Sequence, residues 1–303
     1  MTTIELDTML SFTGREHKVS QQFLYYYTDF ECAKEILAPE AITFTMTRID
    51  YIPNRKGSGL TNRCYEKALD RLFREQHINE VLYQILAKVF AEPVAIMSGR
   101  SKFAPNKNIG KEIRPDVYVI DFPVEQSGLY WASSSSREGN EADCCLEFSE
   151  KWIEDWSGRK LFSCRECYLR EVLYENQAIE TIYQDLLQLV CVCSNTDDDN
   201  LMKSITAMVG AHLRKMQWYI KEGTQAPTKE GRLILIQPQK KETDFVLDNR
   251  LPEIEVDGQY CIQLSIPPYV FSGISYNPHT SSSDKAAFQR FLDSTYPHAL
   301  LKH

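Results

Sequence analysis

The chain has 303 residues, 43% hydrophobic and 25% charged, a balance that excludes a disordered or low-complexity polymer and supplies a sizeable core. Its 34 Lys and Arg against 42 Asp and Glu give a net charge of −8 and a pI near 5.4. That acidity argues against a protein that coats phosphate backbones over a wide surface, since such binders neutralise phosphates with basic side chains.

Taken in chain order, the opening MTTIELDTML carries Glu5 and Asp7 and has no basic stretch ahead of an apolar run, so no secretory signal is expected. No stretch approaches the ~20 apolar residues of a membrane span. Nine cysteines in a chain of this size fit a reducing compartment better than a disulfide scaffold, so the expected location is cytoplasmic, away from membranes. The aromatic run Phe23 to Thr28 predicts a strand. Asp29 then reads as a helix start, with Cys32, Ala33, Ile36 and Leu37 on one face before Pro39. Residues 41–46, AITFTM, alternate as a half-buried strand does.

Residues 52–62 read as a turn-rich loop, with Asn62 as N-cap of a helical stretch to about residue 92, one long helix or two consecutive ones, with Asn79 or Pro93 as its break or end. Strands are expected from Pro93 (PVAIMS), Asp116 (DVYVIDF), Cys144 (CCLEF) and Tyr168 (YLREVLY). Amphipathic helices follow near 177–193 and 200–221. Further strands begin at Leu233, Tyr260 and Tyr269, and a closing helix begins at Asp284. Runs of strands around a helical insert predict an α+β fold, with a mixed, mainly antiparallel sheet around a cleft. Residues 1–22 read as an N-terminal extension and 23–303 as one domain.

The chain has no GxxxxGK[ST] phosphate loop, no GxGxxG after a strand, no HExxH and no GxSxG. Cys164 and Cys167 form a CxxC, but the remaining thiols lack zinc spacing. Cys144 and Cys145, adjacent in a strand, point to opposite faces, so buried structural thiols are expected and no metal. The run Asp197–Asp199 lacks the glycine and distal Glu of a calcium loop. Ser133–Ser136 ahead of Gly139 and Asn140 read as a surface loop able to cradle an anion. Asp121 and Glu147, on strands expected to be neighbours, raise a metal-dependent nuclease, although Lys151 is wrongly spaced to steady its water.

Several segments in order resemble the bacterial family catalogued as domain of unknown function 2971. Tyr25-Tyr26-Tyr27-Thr28, the helix to Leu37 and AITFTM match its opening. Val119–Phe122, Trp131, Gly139 and CCLEF match its middle. Val172-Leu173-Tyr174 and Glu230-Gly231-Arg232-Leu233 match its later strands. The chain departs from that pattern at Tyr26, where the family has His, at Ile52-Pro53-Asn54 and at Pro123.

That layout is remotely similar to ADP-ribosyltransferases, and the resemblance implies an enzyme that uses NAD to modify a protein or nucleic-acid target, with a toxin or anti-phage effector as its setting. On that analogy Glu230 and Tyr26 are the catalytic residues, and Tyr27, Thr28, Trp131 and Arg232 contact the cofactor or substrate. A carboxylate near the nicotinamide ribose stabilises the oxocarbenium-like transition state, while an aromatic ring stacks on nicotinamide. Read structurally, the same residues are strand aromatics, a core-capping Trp and a Glu230–Arg232 surface pair. The alternative functions are a non-catalytic protein-interaction module and the nuclease.

Overall fold

The computed structural model describes residues 23–49, 57–90, 116–133, 141–149, 166–193, 206, 209–210, 212–213, 215–223, 229–237, 251–297 and 300–301. The aromatic run forms β1 (Phe23–Thr28). Asp29 caps α1 (Phe30–Ile36), accepting from the Cys32 amide at 2.8 Å, and Asp143 accepts from the Phe30 amide at 3.2 Å. These carboxylates satisfy amides that the first helical turn leaves without partners. In β2 (Ile42–Arg48) every second residue, Ile42, Phe44 and Met46, is buried.

Next come α2 (Gly57–Arg74), α3 (Glu80–Ala87), β3 (Asp116–Pro123), α4 (Leu129–Ser133), β4 (Cys144–Ser149) and β5 (Glu166–Glu171). After them follow β6 (Leu173–Tyr174), α5 (Glu175–Cys193), β7 (Ile220–Lys221), β8 (Glu230–Gln237), β9 (Glu253–Val256) and β10 (Gln259–Ile266). The chain closes with β11 (Phe271–Tyr276), α6 (Ser282–Thr295) and β12 (Leu300–Leu301). The fold is α+β with mainly antiparallel sheets. Among the described residues no helix is long and apolar enough to cross a membrane.

The chain divides into two compact units. The β-rich unit holds a four-stranded sheet, β1-β4-β11-β12, and a six-stranded sheet, β5-β8-β3-β2-β10-β9. One apolar core takes side chains from both: Leu24, Leu146 and Phe148 from the first, Phe44, Phe122, Leu233 and Leu264 from the second. Phe44 meets Phe122 and Phe148 edge-on at 5.2 and 5.0 Å. Phe288 of α6 stacks on Phe30 at 4.6 Å, which fastens both helices to this core. Each such side chain taken from water contributes roughly 1.5–3 kcal/mol.

The helical unit contains α2, α3, α5, helical turns within 206–216 and the parallel pair β6–β7. Ion pairs tie α2 to its surroundings: Arg63 to Glu222 at 3.3 Å, Lys67 to Glu175 at 2.6 Å and Arg71 to Glu180 at 2.6 Å. Arg71 also lies over the Tyr183 ring at 3.9 Å, and the Tyr183 hydroxyl donates to Glu75.

Several expectations change. Asn62 is not an N-cap, because α2 already begins at Gly57. Burial of Leu60 and Thr61 overrides the weak helix propensity of the GSG stretch. Asn79 does break the helical stretch, as N-cap of α3 with its side chain accepting from the Leu82 amide. The run expected as one strand from Tyr168 to Tyr174 divides at Val172: β5 pairs with β8, and β6 pairs with β7. The helix expected to reach residue 221 gives way to a turn at 217–219 and then β7. The strand from Tyr269 starts instead at Phe271 after a 3-10 turn, and α6 is capped by Ser281, ahead of the Asp284 expected to start it. The expected PVAIMS strand lies outside the described residues, as do Asp197–Asp199, Ser134–Ser136, Gly139, Asn140, Lys151 and Cys164.

Candidate functional site

Alternation along β1 sends Leu24, Tyr26 and Thr28 to one face of the four-stranded sheet and Phe23, Tyr25 and Tyr27 to the other. On β4, Cys144, Leu146 and Phe148 join the core while Cys145 and Glu147 share the outer face, Tyr27 standing opposite Cys145 and Tyr25 opposite Glu147. Cys144 and Cys145 thus point to opposite sides, as adjacent strand residues must. Tyr27, Tyr130, Ala142 and Cys145 form a second buried cluster, against which the half-buried Tyr25 and Trp131 pack. Tyr27 is only 5% exposed, stacks on Tyr130 at 5.4 Å and meets Trp131 edge-on at 4.8 Å.

Short-range bonds set α4 against this face. The Ser127 amide donates to the Tyr27 hydroxyl at 3.1 Å, the Ser127 hydroxyl accepts from the Leu129 amide at 3.3 Å, and its carbonyl accepts from the Tyr130 amide at 3.2 Å. At the middle of α4 the Ala142 amide donates to the Trp131 carbonyl at 2.8 Å. Asn277, buried beneath, donates to the Ala142 carbonyl at 2.8 Å and to Glu141 at 3.1 Å.

Burial sets the electrostatics. It pushes the Tyr27 phenol well above its ordinary range, with Cys145 adding to the rise. It lifts the Cys145 thiol to about 12. The Tyr25 phenol rises by burial and then by proximity to Glu147. These groups are neutral near pH 7, so the face offers ring surfaces and hydrogen bonds rather than a reactive thiolate. Glu147, 2% exposed on the middle of this face, is its acidic side chain among β1 and β4.

The six residues singled out in the sequence fall in three places. Tyr27 and Trp131 come together on the outer aromatic face. Tyr26 turns inward between Phe44 and Phe122, with ring centroids 5.7 and 6.1 Å away, and burial raises its phenol pKa. Thr28 is buried, and its carbonyl accepts from the Asp143 amide at 3.0 Å. Glu230 and Arg232 lie on β8, on the face of the six-stranded sheet turned away from the core that Leu233 and Leu235 enter.

Glu230 and Arg232 do share a side of the strand, but Arg232 is no surface residue. It is 1% exposed, and its Nε and Nη2 reach the two Asp121 carboxylate oxygens at 2.6 and 2.8 Å. Register places Asp121 on one flank of Arg232 and Arg170 on the other.

Asp121 and Glu147 do not lie on neighbouring strands. β3 belongs to the six-stranded sheet and β4 to the four-stranded one, and each carboxylate is on its sheet's outer face. The geometry for sharing one ion is therefore lacking. Cys167 is partly buried, and burial lifts its thiol to about 12. Among the described residues no group of three or more His, Cys, Asp or Glu side chains is placed to hold a metal.

Sequence reasoning named Tyr25 and the buried Cys145 without placing them at the site, and missed Tyr130. Tyr25 was legible, since it lies two residues before Tyr27. The contribution of Tyr130 depends on how the chain turns at Ser127, which no spacing rule supplies. Comparison with family models, with curated proteins and with solved structures gave no match.

Proposed function

We propose that the β-rich unit binds a planar heteroaromatic ligand on the aromatic face of its four-stranded sheet, with NAD as the ligand that the family resemblance singles out. The observation that carries this reading is the grouping of Tyr27 and Trp131 in one aromatic cluster with the half-buried Tyr25. Aromatic side chains of this kind contribute roughly 1–3 kcal/mol per stacked base and prefer offset or edge-on contacts. ADP-ribosyl transfer to a protein or nucleic-acid target is the enzymatic form of the reading. It needs a carboxylate beside the ring-bearing ribose. Glu147, itself buried, shares the aromatic face, whereas Tyr26 packs, partly buried, against the core on the opposite face and Glu230 lies on the other sheet.

The separation of Tyr26 from Glu230 favours a second reading, a non-catalytic interaction module. Leu129, 60% exposed on the same short helix as Trp131, would then belong to the docking surface.

A thermal-shift titration with NAD separates them. Ligand at a hundred times its dissociation constant stabilises the folded state by about 2.7 kcal/mol, a rise of several degrees. The expected result is a shift in the wild type that persists in Tyr26→Phe and Glu230→Gln and is lost in Trp131→Ala. No shift at millimolar NAD overturns the NAD reading. A shift indifferent to Trp131→Ala overturns the aromatic face as its location.

A further inference from the structure

We infer that Tyr27 is a positioning residue rather than a ligand contact: its hydroxyl tethers Ser127 and so sets the pose of α4, leaving Trp131 and Tyr25 as the rings a ligand meets. This rests on the reading that the aromatic face is a binding surface. Tyr27 is buried beneath the cluster, while Tyr25 and Trp131 are half-buried at its margin. Its ring is stacked on Tyr130 and makes a T-shaped contact with Trp131. Its hydroxyl accepts from the Ser127 amide at 3.1 Å and lies beside the Cys145 thiol.

Ser127 is the pivot of the turn. Its carbonyl and hydroxyl accept from Tyr130 and Leu129, so one residue fixes the start of a five-residue helix too short to hold itself. In the middle of that helix the Trp131 carbonyl is held by the Ala142 amide. Trp131 is therefore clamped between a bond made by its own carbonyl and a tether that ends on Tyr27. Loosening the tether leaves the strand intact and lets the indole shift.

The test uses full-length protein labelled with 5-fluorotryptophan, in which the Trp131 fluorine resonance is assigned by its loss in Trp131→Phe. Tyr27→Phe keeps the ring and removes the hydroxyl. The expected result is a displaced or broadened Trp131 resonance in the ligand-free variant, the other tryptophan signals unchanged, and NAD affinity weakened roughly two- to tenfold, the net worth of one neutral hydrogen bond. Ser127→Ala loosens the same turn by a second route: it keeps the amide that donates to Tyr27 and removes the hydroxyl that accepts from Leu129. It should displace the same resonance, and it keeps the inference testable if Tyr27→Phe does not fold.

An unmoved Trp131 resonance overturns the inference, and if affinity still falls Tyr27 is a direct contact. A displaced resonance with wild-type affinity also overturns it, because the pose would not matter to binding. A displaced resonance in a protein whose wild type never responds to NAD leaves the tether standing and removes the NAD reading.

Discussion

Replacing Asp121 by Ala should destabilise the β-rich unit by about 3 kcal/mol. Removing one partner of a buried ion pair costs about 3–5 kcal/mol, because the remaining charge loses its compensation away from water. Arg232 is 1% exposed, but the Asp121 side chain is 29% exposed, so solvent reaches one end of the pair and the lower figure applies. Register sharpens the expectation. Arg170 stands opposite Arg232 on the flank away from Asp121, so the substitution leaves two guanidinium-bearing residues side by side with the carboxylate on the other flank of Arg232 gone.

The assay is hydrogen exchange of the β3 and β8 amides, which reports opening of this sheet independently of the helical unit. A loss of about 3 kcal/mol corresponds to about 6–12 °C in the melting temperature of a unit this size. The double substitution Asp121→Leu with Arg232→Met should recover most of that loss, since apolar replacement of a buried pair is often neutral or stabilising. The coupling in the double-mutant cycle is then the charge term. A loss under about 1 kcal/mol for Asp121→Ala would refute the argument, because the pair would then behave as an exposed one.

In the helical unit, the carboxyl pKa values of Glu75, Glu175 and Glu180 are depressed, by the Tyr183 hydroxyl and Arg71, by Lys67, and by Gln184 and Arg71 respectively. Depressed carboxyl pKa values stabilise the fold above the unfolded value near 4.3 and lose that contribution as pH falls through the folded values. The helical signal should therefore weaken below about pH 4.3, and a charge-neutral Glu175→Gln variant should be less acid-sensitive; identical acid titrations would remove the ion pairs as the cause. Burial keeps Cys144 and Cys145 protonated near neutrality, whereas Cys191 is exposed. Mass spectrometry after brief iodoacetamide treatment at pH 8 should find Cys191 modified and Cys145 only after denaturation; equal labelling would contradict the burial. Tyr26→Ala should cost about 2–3 kcal/mol, less than a fully buried aromatic because the ring is partly buried, with unfolding midpoints as the measure, and a cost below about 1 kcal/mol would take the ring off the Phe44–Phe122 surface.

Local chemistry was legible in the sequence wherever it was self-contained. The Asp29 cap, the alternation of AITFTM and the break at Asn79 each depend on a few consecutive residues, and each has its expected physical basis in the fold. What could not be read locally is pairing. β3 and β4 are consecutive strands, yet they enter different sheets, so Asp121 and Glu147 are parted by the layer of Phe44, Phe122 and Phe148. The start of α2 was hidden for a related reason. Gly57 and Gly59 argue against a helix by propensity, and only the burial of Leu60 and Thr61 overrides them.

The candidate site turns on parity along β1. Adjacent strand residues face opposite sides, so Tyr26 and Tyr27 are unable to present their rings to one ligand whatever the strand pairs with. A set containing both had to divide, and the division follows the period of two: Tyr26 and Thr28 go to the core and Tyr27 joins Tyr25 outside. The same parity puts Glu147 beside Cys145 on the aromatic face, and it puts Glu230 beside the Arg232 that Asp121 holds. Of the two carboxylates, Glu147 of β4 thus shares the face of Trp131 and Tyr27, and Glu230 of β8 does not. The family resemblance orders these residues along the chain, but side-chain alternation decides which of them can meet.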